Sequence, residues 1–341
     1  MAKHTVIGLD LAKNSFSLVA LAPQGREQWR KTVKRGQLLK LLAKQLPCEV
    51  AMEACAGSHY WAREIERQGH AVVMLPPQHV KGYQRGQKND YNDARAIAEA
   101  CLHGHIRPVV VKTVAQQDAH LLQDVRRQLI QERVRLGNQI RALLMEYGVV
   151  LPKGVSLLRR RIPGLLEDGE NGMSPLSRQL LQRQYQRWCQ LCDELSWYER
   201  ELVRQAREDD VCRRLSELPG FGPVVSSVFK SWIGDGRQFR RGRDASAALG
   251  VVPRQHSTGG REMLLGITKR GDRYVRATIV HGARSVVLHA KGKEDRLSCW
   301  INRLVAERGH NKAVVALANK LVRMAWVIVA RGEHYQAVPA H

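Results

Sequence analysis

The sequence predicts a chain in three parts. An α/β domain spans residues 1–110, a long helical, coiled-coil-like segment spans 111–210, and a mostly α-helical C-terminal domain spans 211–341. Three observations carry that division. Short β-type runs alternate with helical spacings in the first third, apolar seams at near-heptad spacing fill the second, and the charge balance shifts in the last. With 341 residues, 44% of them apolar, the chain is long enough for two or three separate cores.

In the first third, "TVIGLDLA" and "FSLVALAP" are β-type runs joined through "AKNS", and "REQWRKTVK" returns as a third strand after the turn signal "PQG". "GQLLKLLAKQL" has helical spacing, "CEVAMEA" is a short apolar strand, "SHYWAREIERQGH" an amphipathic helix and "AVVMLPP" another strand. A basic loop, "HVKGYQRGQKN", then leads into the helix of "KNDYNDARAIAEA". A meander feeding β-α-β-α units implies a mixed sheet with flanking helices.

The middle segment has one seam through Leu122, Val125, Leu129, Leu136, Ile140, Leu143 and Tyr147. A second runs through Leu181, Tyr185, Trp188, Cys192, Leu195 and Leu202. Paired seams imply a helical hairpin or coiled coil, most simply a dimerisation arm, and the break "LPKGVSLLRRRIPGLLEDGENGMSP" reads as its tip or hinge. Cys189 and Cys192 form a lone CxxC without a second pair or a close His, so Cys192 reads as a core residue and not a zinc ligand. Seven scattered cysteines, an odd number, give no disulfide framework.

The formal net charge is +23, distributed (Lys and Arg less Asp and Glu) as +7 over 1–110, +2 over 111–210 and +14 over 211–341. Such an excess favours a polyanionic partner, a nucleic acid or an anionic membrane. In the last third Arg outnumbers Lys 17 to 6, a preference suited to bidentate contact with phosphates and base edges. Asp10 and Lys13 interrupt the N-terminal apolar stretch, and Lys320 and Arg323 interrupt "AVVALANKLVRMAWVIVA", which disfavours a signal peptide or a membrane span. The expectation is a cytoplasmic protein with no membrane partner.

Asp90 and Asp93 stand at i and i+3 at the head of a helix, where acids also favourably meet the helix dipole. Asp10 ends the apolar run "TVIGLD" and Glu53 follows "VAM". A carboxylate that follows a buried strand sits where a sheet edge opens into a cleft. Four acids on two strands and one helix repel one another, and a bound cation justifies the arrangement.

These residues carry a resemblance. Asp10 in "GLDLAK", Glu53 in "MEAC", and Asp90 with Asp93 in "KNDYNDARAIAEA" look like the Asp-Glu-Asp-Asp tetrad of the RuvC-like (RNase H-like) domain in the DEDD insertion-sequence transposases, the IS110 and IS1111 types. "GSHYWAREIERQGH" is also similar to that family, and the likeness extends over nearly the whole chain. It implies an RNase H-like N-terminal domain whose four carboxylates hold two Mg²⁺ ions, with Mn²⁺ as an alternative. Arg95 stands where many relatives have an acid, outside the tetrad.

Downstream, "LPGFGP" reads as a tight hairpin between helices, in which Gly220 and Gly222 allow backbone N–H groups to face a phosphate; a plain loop fits it nearly as well. In "LGVVPRQHSTGGREMLLGITKRGDRYVR" glycines interleave with Arg254, Arg261, Lys269, Arg270, Arg273 and Arg276, a donor-rich loop for a nucleic-acid backbone. "PRQHSTGG…GITKRGDRYVR" resembles the C-terminal transposase domain of the same family, whose Ser-Ser-Gly-Gly type segment contains a nucleophilic serine. Here the pair is Ser257-Thr258, and Ser257 is the candidate because Thr258 is bulkier and branched. His256 is either an assisting group or one more phosphate contact. The resemblance further implies a phosphoserine–DNA intermediate on element ends and target DNA and guidance by a noncoding bridge or seek RNA of the element. It also implies a homo-oligomer, dimer or tetramer, in which two subunits complete one site. Two other readings stay open: a RuvC-like junction resolvase without serine chemistry, and a non-catalytic nucleic-acid-binding protein.

Overall fold

The computed structural model describes residues 5–87, 89–103 and 106–338. The chain divides into two units, Met1–Ala115 and Gln116–His341.

Five strands build the sheet of the first unit: β1 (Val6–Leu11), β2 (Ser15–Leu21), β3 (Glu27–Lys34), β4 (Glu49–Glu53) and β5 (Ala71–Leu75), in the order β3-β2-β1-β4-β5. β1 to β3 form the expected antiparallel meander, while β4 and β5 run parallel to β1. Two helices, α1 (Leu38–Leu42) and α2 (Ser58–Glu66), precede β4 and β5 in turn. The period of two along each strand sorts side chains onto two faces. Ile7, Leu9, Leu18, Val50 and Met52 join Leu38 and Leu42 of α1 and Trp61 and Ile65 of α2 in one core. Val6, Val19 and Ala51 point the other way, into a core with Ala94, Ile97 and Ala98 of α4 (Asp90–Leu102). A short helix, α3 (Pro77–Val80), and a 3-10 turn occupy the start of the stretch expected to be loop, nucleated by Pro77 in the first helical position.

Gly8 makes the α4 contact possible. A Cβ on Gly8 would lie 2.0 Å from the Ala94 carbonyl oxygen and 2.9 Å from Ala98 Cβ. Glycine in the strand and alanines on the helix therefore let the helix lie almost backbone to backbone on β1.

The remainder is mostly helical: α5 (Val114–Met145), α6 (Val155–Glu167), α7 (Pro175–Glu208), α8 (Asp210–Leu215), α9 (Pro223–Ile233) and α10 (Gly242–Leu249) come first. The two seams meet within this chain. Leu129, Leu136, Ile140 and Leu144 of α5 share a core with Leu181, Trp188, Cys192 and Leu195 of α7. Arg126 pairs with Glu199 at 2.9 Å, and Gly137 faces Trp188, so the two helices run antiparallel. The α5 seam ends on Leu144, whereas Leu143 and Tyr147 are each 40% exposed. The step from Ile140 is a full helical i+4, and not the i+3 that a strict heptad continues with.

The break expected to be a tip or hinge contains α6, which covers the same core through Leu158 and Ile162. Pro163 lies inside this helix and cannot donate to the carbonyl of Arg159, four residues back. Tyr185 of α7 donates its hydroxyl to that carbonyl at 3.0 Å, which satisfies the group that the proline orphans.

After α10, a strand pair leads to α11 (Arg273–Leu288), α12 (Arg296–Arg308) and α13 (His310–Arg331). α13 is long and apolar enough to cross a membrane, yet Leu317, Leu321 and Ala325 pack fully buried against Phe229 and Ile233 of α9, Ile279 of α11 and Ile301 of α12. Gln123 of α5 donates to Ser227 and Ser231 of α9 at 3.0 and 2.9 Å, tying the long helices to this core.

The Gly8 contact predicts that Gly8→Ala destabilises the first unit by about 3 kcal/mol, the upper range for overpacking a tight interface. Denaturant unfolding followed by the fluorescence of Trp29 and Trp61 checks it; an unchanged midpoint would show that α4 has room to retreat.

Candidate active site

The carboxylates are placed by register. β1 and β4 pair in parallel up to Leu9 and Met52, so Asp10 and Glu53 are the next residues along neighbouring strands. Two steps on from Gly8 and from Ala51, both side chains fall on the α4 side of the sheet. Because α4 touches β1 at Ala94, its preceding residue Asp93 reaches the same end of the sheet. Asn89 caps the helix, accepting from the Asn92 N–H at 2.8 Å, and Asn92 Nδ2 donates to the Gln87 carbonyl at 2.7 Å. Gln84 Nε2 donates to Asp93 Oδ1 at 2.9 Å and orients that carboxylate.

Asp10, Glu53 and Asp93 are half-buried, and the Glu53 carboxyl is held above its ordinary range. Burial is the largest cause; the negative charges of Asp10 and then Asp93 add to it. Glu53 thus feels the charges of two other acids of the expected tetrad. Asp90 stands exposed at the first position of α4 and is not among the charges acting on Glu53. Among the described residues no three His, Cys, Asp or Glu side chains are drawn together tightly enough to enclose an ion. The donor set is hard, all carboxylate oxygen on two strands and a helix, and it suits Mg²⁺ or Mn²⁺ in type.

Arg95 has a structural use. Its guanidinium meets Glu99 at 2.9 Å and Glu27 of β3 at 3.3 Å, fastening α4 across the sheet. Sequence reasoning missed Gly8 and Gln84. A glycine inside an apolar strand was the available signal for the first; nothing in the loop around Gln84 marked it.

The serine segment is a β-hairpin, although its glycine content read as loop. β6 (Pro253–Gln255) pairs antiparallel with β7 (Leu264–Ile267), and His256 N–H donates to the Met263 carbonyl at 2.9 Å. The turn between the strands carries Thr258 bridged to Arg261, with Gly259 and Gly260 at φ of +55° and +76°. Ser257 Oγ accepts from Gln255 Nε2 at 3.0 Å, and Ser257, Thr258, His256, Arg254 and Arg261 are all exposed. The base is pinned by close backbone approach. A Cβ on Gly271 would meet the Ala248 carbonyl at 2.1 Å, and one on Gly250 would meet Arg270 N at 2.3 Å. Arg276 donates to the carbonyls of Leu249 and Arg270 at 3.1 and 2.7 Å, so its guanidinium braces the hairpin base. Lys269, Arg270 and Arg273 remain exposed beside it.

Gly220 and Gly222 lie in the turn between α8 and α9. Gly220, at φ +82°, packs against Gly282 of α11: a Cβ there would stand 2.7 Å from the Gly282 carbonyl oxygen. Gly222 precedes Pro223 as the N-cap of α9, with open space around its Cα.

Comparison with known proteins bears on both segments. Residues 7–149 match a family model described as a transposase, the DEDD type of IS110 elements, and residues 212–297 match the model of the transposase IS116/IS110/IS902 family. The chain is 38% identical over 331 residues to the transposase for insertion sequence element IS1111A of Coxiella burnetii, covering 97% of this chain and 91% of the relative. To the transposase for insertion sequence element IS1328 of Yersinia enterocolitica it is 39% identical over 332 residues, covering 97% and 98%. A probable family 20 transposase of Pseudomonas aeruginosa is 38% identical over 97% of this chain and 98% of its own.

The crowding at Glu53 sets a pH dependence. Its carboxyl holds a proton to higher pH in the folded chain than in the unfolded one. In metal-free buffer the folded state is therefore favoured below the ordinary glutamate value, and that advantage is lost as pH rises through the window above it. Asp10→Asn removes a cause of the shift and should flatten this loss. Thermal unfolding with chelator across mildly acidic to neutral pH measures it, and an Asp10→Asn profile parallel to wild type would contradict the coupling.

Proposed function

The chain belongs to the IS116/IS110/IS902 family of insertion-sequence transposases, and on that footing we propose that it cuts and rejoins DNA through a cation-holding carboxylate cluster and a serine nucleophile. The observation that carries the first half is Glu53, raised by burial and by the charges of Asp10 and Asp93 at one end of the sheet. Asp10, Glu53, Asp90 and Asp93 would hold Mg²⁺, or Mn²⁺ in its place. Bound there, the cations supply Lewis-acid stabilisation of the attacking and leaving oxygens of a phosphodiester. The sheet order and the α4 packing favour an RNase H-like, RuvC-like domain.

For the second half, Ser257 sits on an exposed hairpin whose base is braced by Arg276, with the Gln255 amide on its Oγ. The serine Oγ attacks phosphorus and loses its proton to solvent or a neighbouring base. The bond from phosphorus to the leaving deoxyribose oxygen breaks, and that oxygen takes up a proton. The phosphoserine–DNA linkage conserves the bond energy, so that a second DNA hydroxyl reverses the step and rejoins the strand. Arg254, Arg261, Lys269, Arg270 and Arg273 supply positive charge for the phosphate oxygens.

Element ends and target DNA are the substrates in this reading. A noncoding guide RNA of the element belongs to it too, supported by the family likeness and by the basic C-terminal third. Self-association as a dimer or tetramer would use the apolar side chains that the long helices leave exposed, Val134 on α5 and Leu180 and Trp197 on α7, since their seams are spent on each other.

Incubation with element-end DNA, the element's RNA and Mg²⁺, resolved on a denaturing gel, tests the chemistry. The expected result is a covalent protein–DNA adduct that Ser257→Ala removes. Cleavage without an adduct, indifferent to Ser257→Ala, would replace the transposase mechanism by that of a metal-dependent nuclease.

Asp93→Asn should lower strand cleavage by about a thousandfold, as expected when a ligand of a catalytic cation is lost, with nucleic-acid affinity kept within a few-fold. Gel-based cleavage rates beside filter-binding affinities separate the two; unchanged turnover would refute the carboxylate assignment.

A further inference from the structure

Outside the serine hairpin and the carboxylates, the second unit carries an open groove of about 800 Å³ between the start of α10, the middle of α12 and one face of α13. Lys320, Arg323, Met324 and Val327 recur along α13 at helical spacing, so they line the groove while Leu321, Ala325 and Ile328 turn into the core. Arg241 caps α10, Arg243 stands in its first turn, and Trp300 comes from α12. Gly242 lets the α10 end approach closely: a Cβ there would lie 2.9 Å from the Arg323 carbonyl oxygen.

Two features set this groove apart from an ordinary basic surface. Among the described residues no Asp or Glu lines it, and Arg241, Arg243 and Arg323 are exposed and make none of the ion pairs that Arg331, at the groove's end, makes with Glu333. Elsewhere on the chain arginines find carboxylates readily, as Arg204 does with Glu201 and Glu208 and Arg214 with Asp210. The second feature is the floor, apolar and partly aromatic. Trp300 is half-buried, with the Lys320 ammonium 4.7 Å from its ring centroid. Met324 and Val327 continue the floor along α13.

We propose that this groove binds an unpaired nucleic-acid strand, the arginines taking its phosphates and the floor taking its base faces. A duplex presents phosphates and groove edges and leaves an apolar floor unused, whereas a single strand offers both parts at once. A base stacking on Trp300 takes the place of the Lys320 ammonium, which is then free to meet the adjacent phosphate. The inference uses neither Ser257 nor the carboxylates; an unpaired strand is available to such a protein either as RNA or as DNA opened during strand exchange.

The test uses the full chain carrying Arg241→Ala, Arg243→Ala and Arg323→Ala together, with labelled single-stranded DNA, single-stranded RNA and duplex DNA of equal length as probes. Single-strand affinity should fall at least about tenfold, and the slope of log affinity against log salt should lessen by about 2, the loss of three phosphate contacts. Duplex affinity should change much less. Trp300→Ala alone should weaken single-strand binding by about fivefold or more while leaving the salt slope unaltered, since stacking carries no counterion release. A loss confined to RNA, or to DNA, names the strand the groove serves, and a loss for both assigns it to unpaired strands of either sugar. An equal loss for duplex would overturn the single-strand reading. Unchanged binding of every probe by Trp300→Ala and by a triple variant with the wild-type unfolding midpoint would overturn the groove itself.

Discussion

The contact of α4 with β1 at Gly8 governs what the first unit can do. It is a contact of backbone with backbone, made possible by the absence of a side chain on the strand and by Ala94 and Ala98 on the helix. Drawn this close, the helix brings Asp93 to the edge where Asp10, next to last in β1, and Glu53, last in β4, lie side by side. Burial first, and then the charges of Asp10 and Asp93, hold the Glu53 carboxyl above its ordinary range, an electrostatic cost that a bound divalent cation would offset. The outer fastenings, Arg95 to Glu27 and Tyr91 accepting from Thr32, tie α4 to β3.

Close backbone approach recurs in the second unit with a different consequence. Gly220 against Gly282 seats the α8–α9 turn on α11, and Gly250 and Gly271 seat the hairpin base beside α10. The tip with Ser257 is left exposed, on strands too short to bury anything of their own.

Much of this was legible in the residues because the signals were periodic. The apolar runs "TVIGLD" and "CEVAME" placed Asp10 and Glu53 on strands, and the acids of "KNDYND" placed Asp90 and Asp93 on a helix head. What periodicity could not supply was distance. It did not reveal that Glu53 feels the charges of Asp10 and Asp93, because that depends on which turn of α4 meets Gly8. α6 was hidden by Pro163, a residue that argues against a helix, until a tyrosine from another helix is seen to satisfy the orphaned carbonyl. The β6–β7 hairpin was hidden by its glycines, which serve the turn and leave strands of three and four residues with no apolar alternation to read.

The central proposal is that Asp10, Glu53, Asp90 and Asp93 together hold the cations, with Glu53 at the centre of the cluster. Paramagnetic broadening by Mn²⁺, read on isotope-labelled alanine methyls, tests it most directly. The account predicts that substoichiometric Mn²⁺ broadens Ala54 and Ala94 before any other methyl, that excess Mg²⁺ reverses the effect, and that Glu53→Gln abolishes it. Broadening that begins elsewhere in the chain, or that persists undiminished in Glu53→Gln, would contradict it.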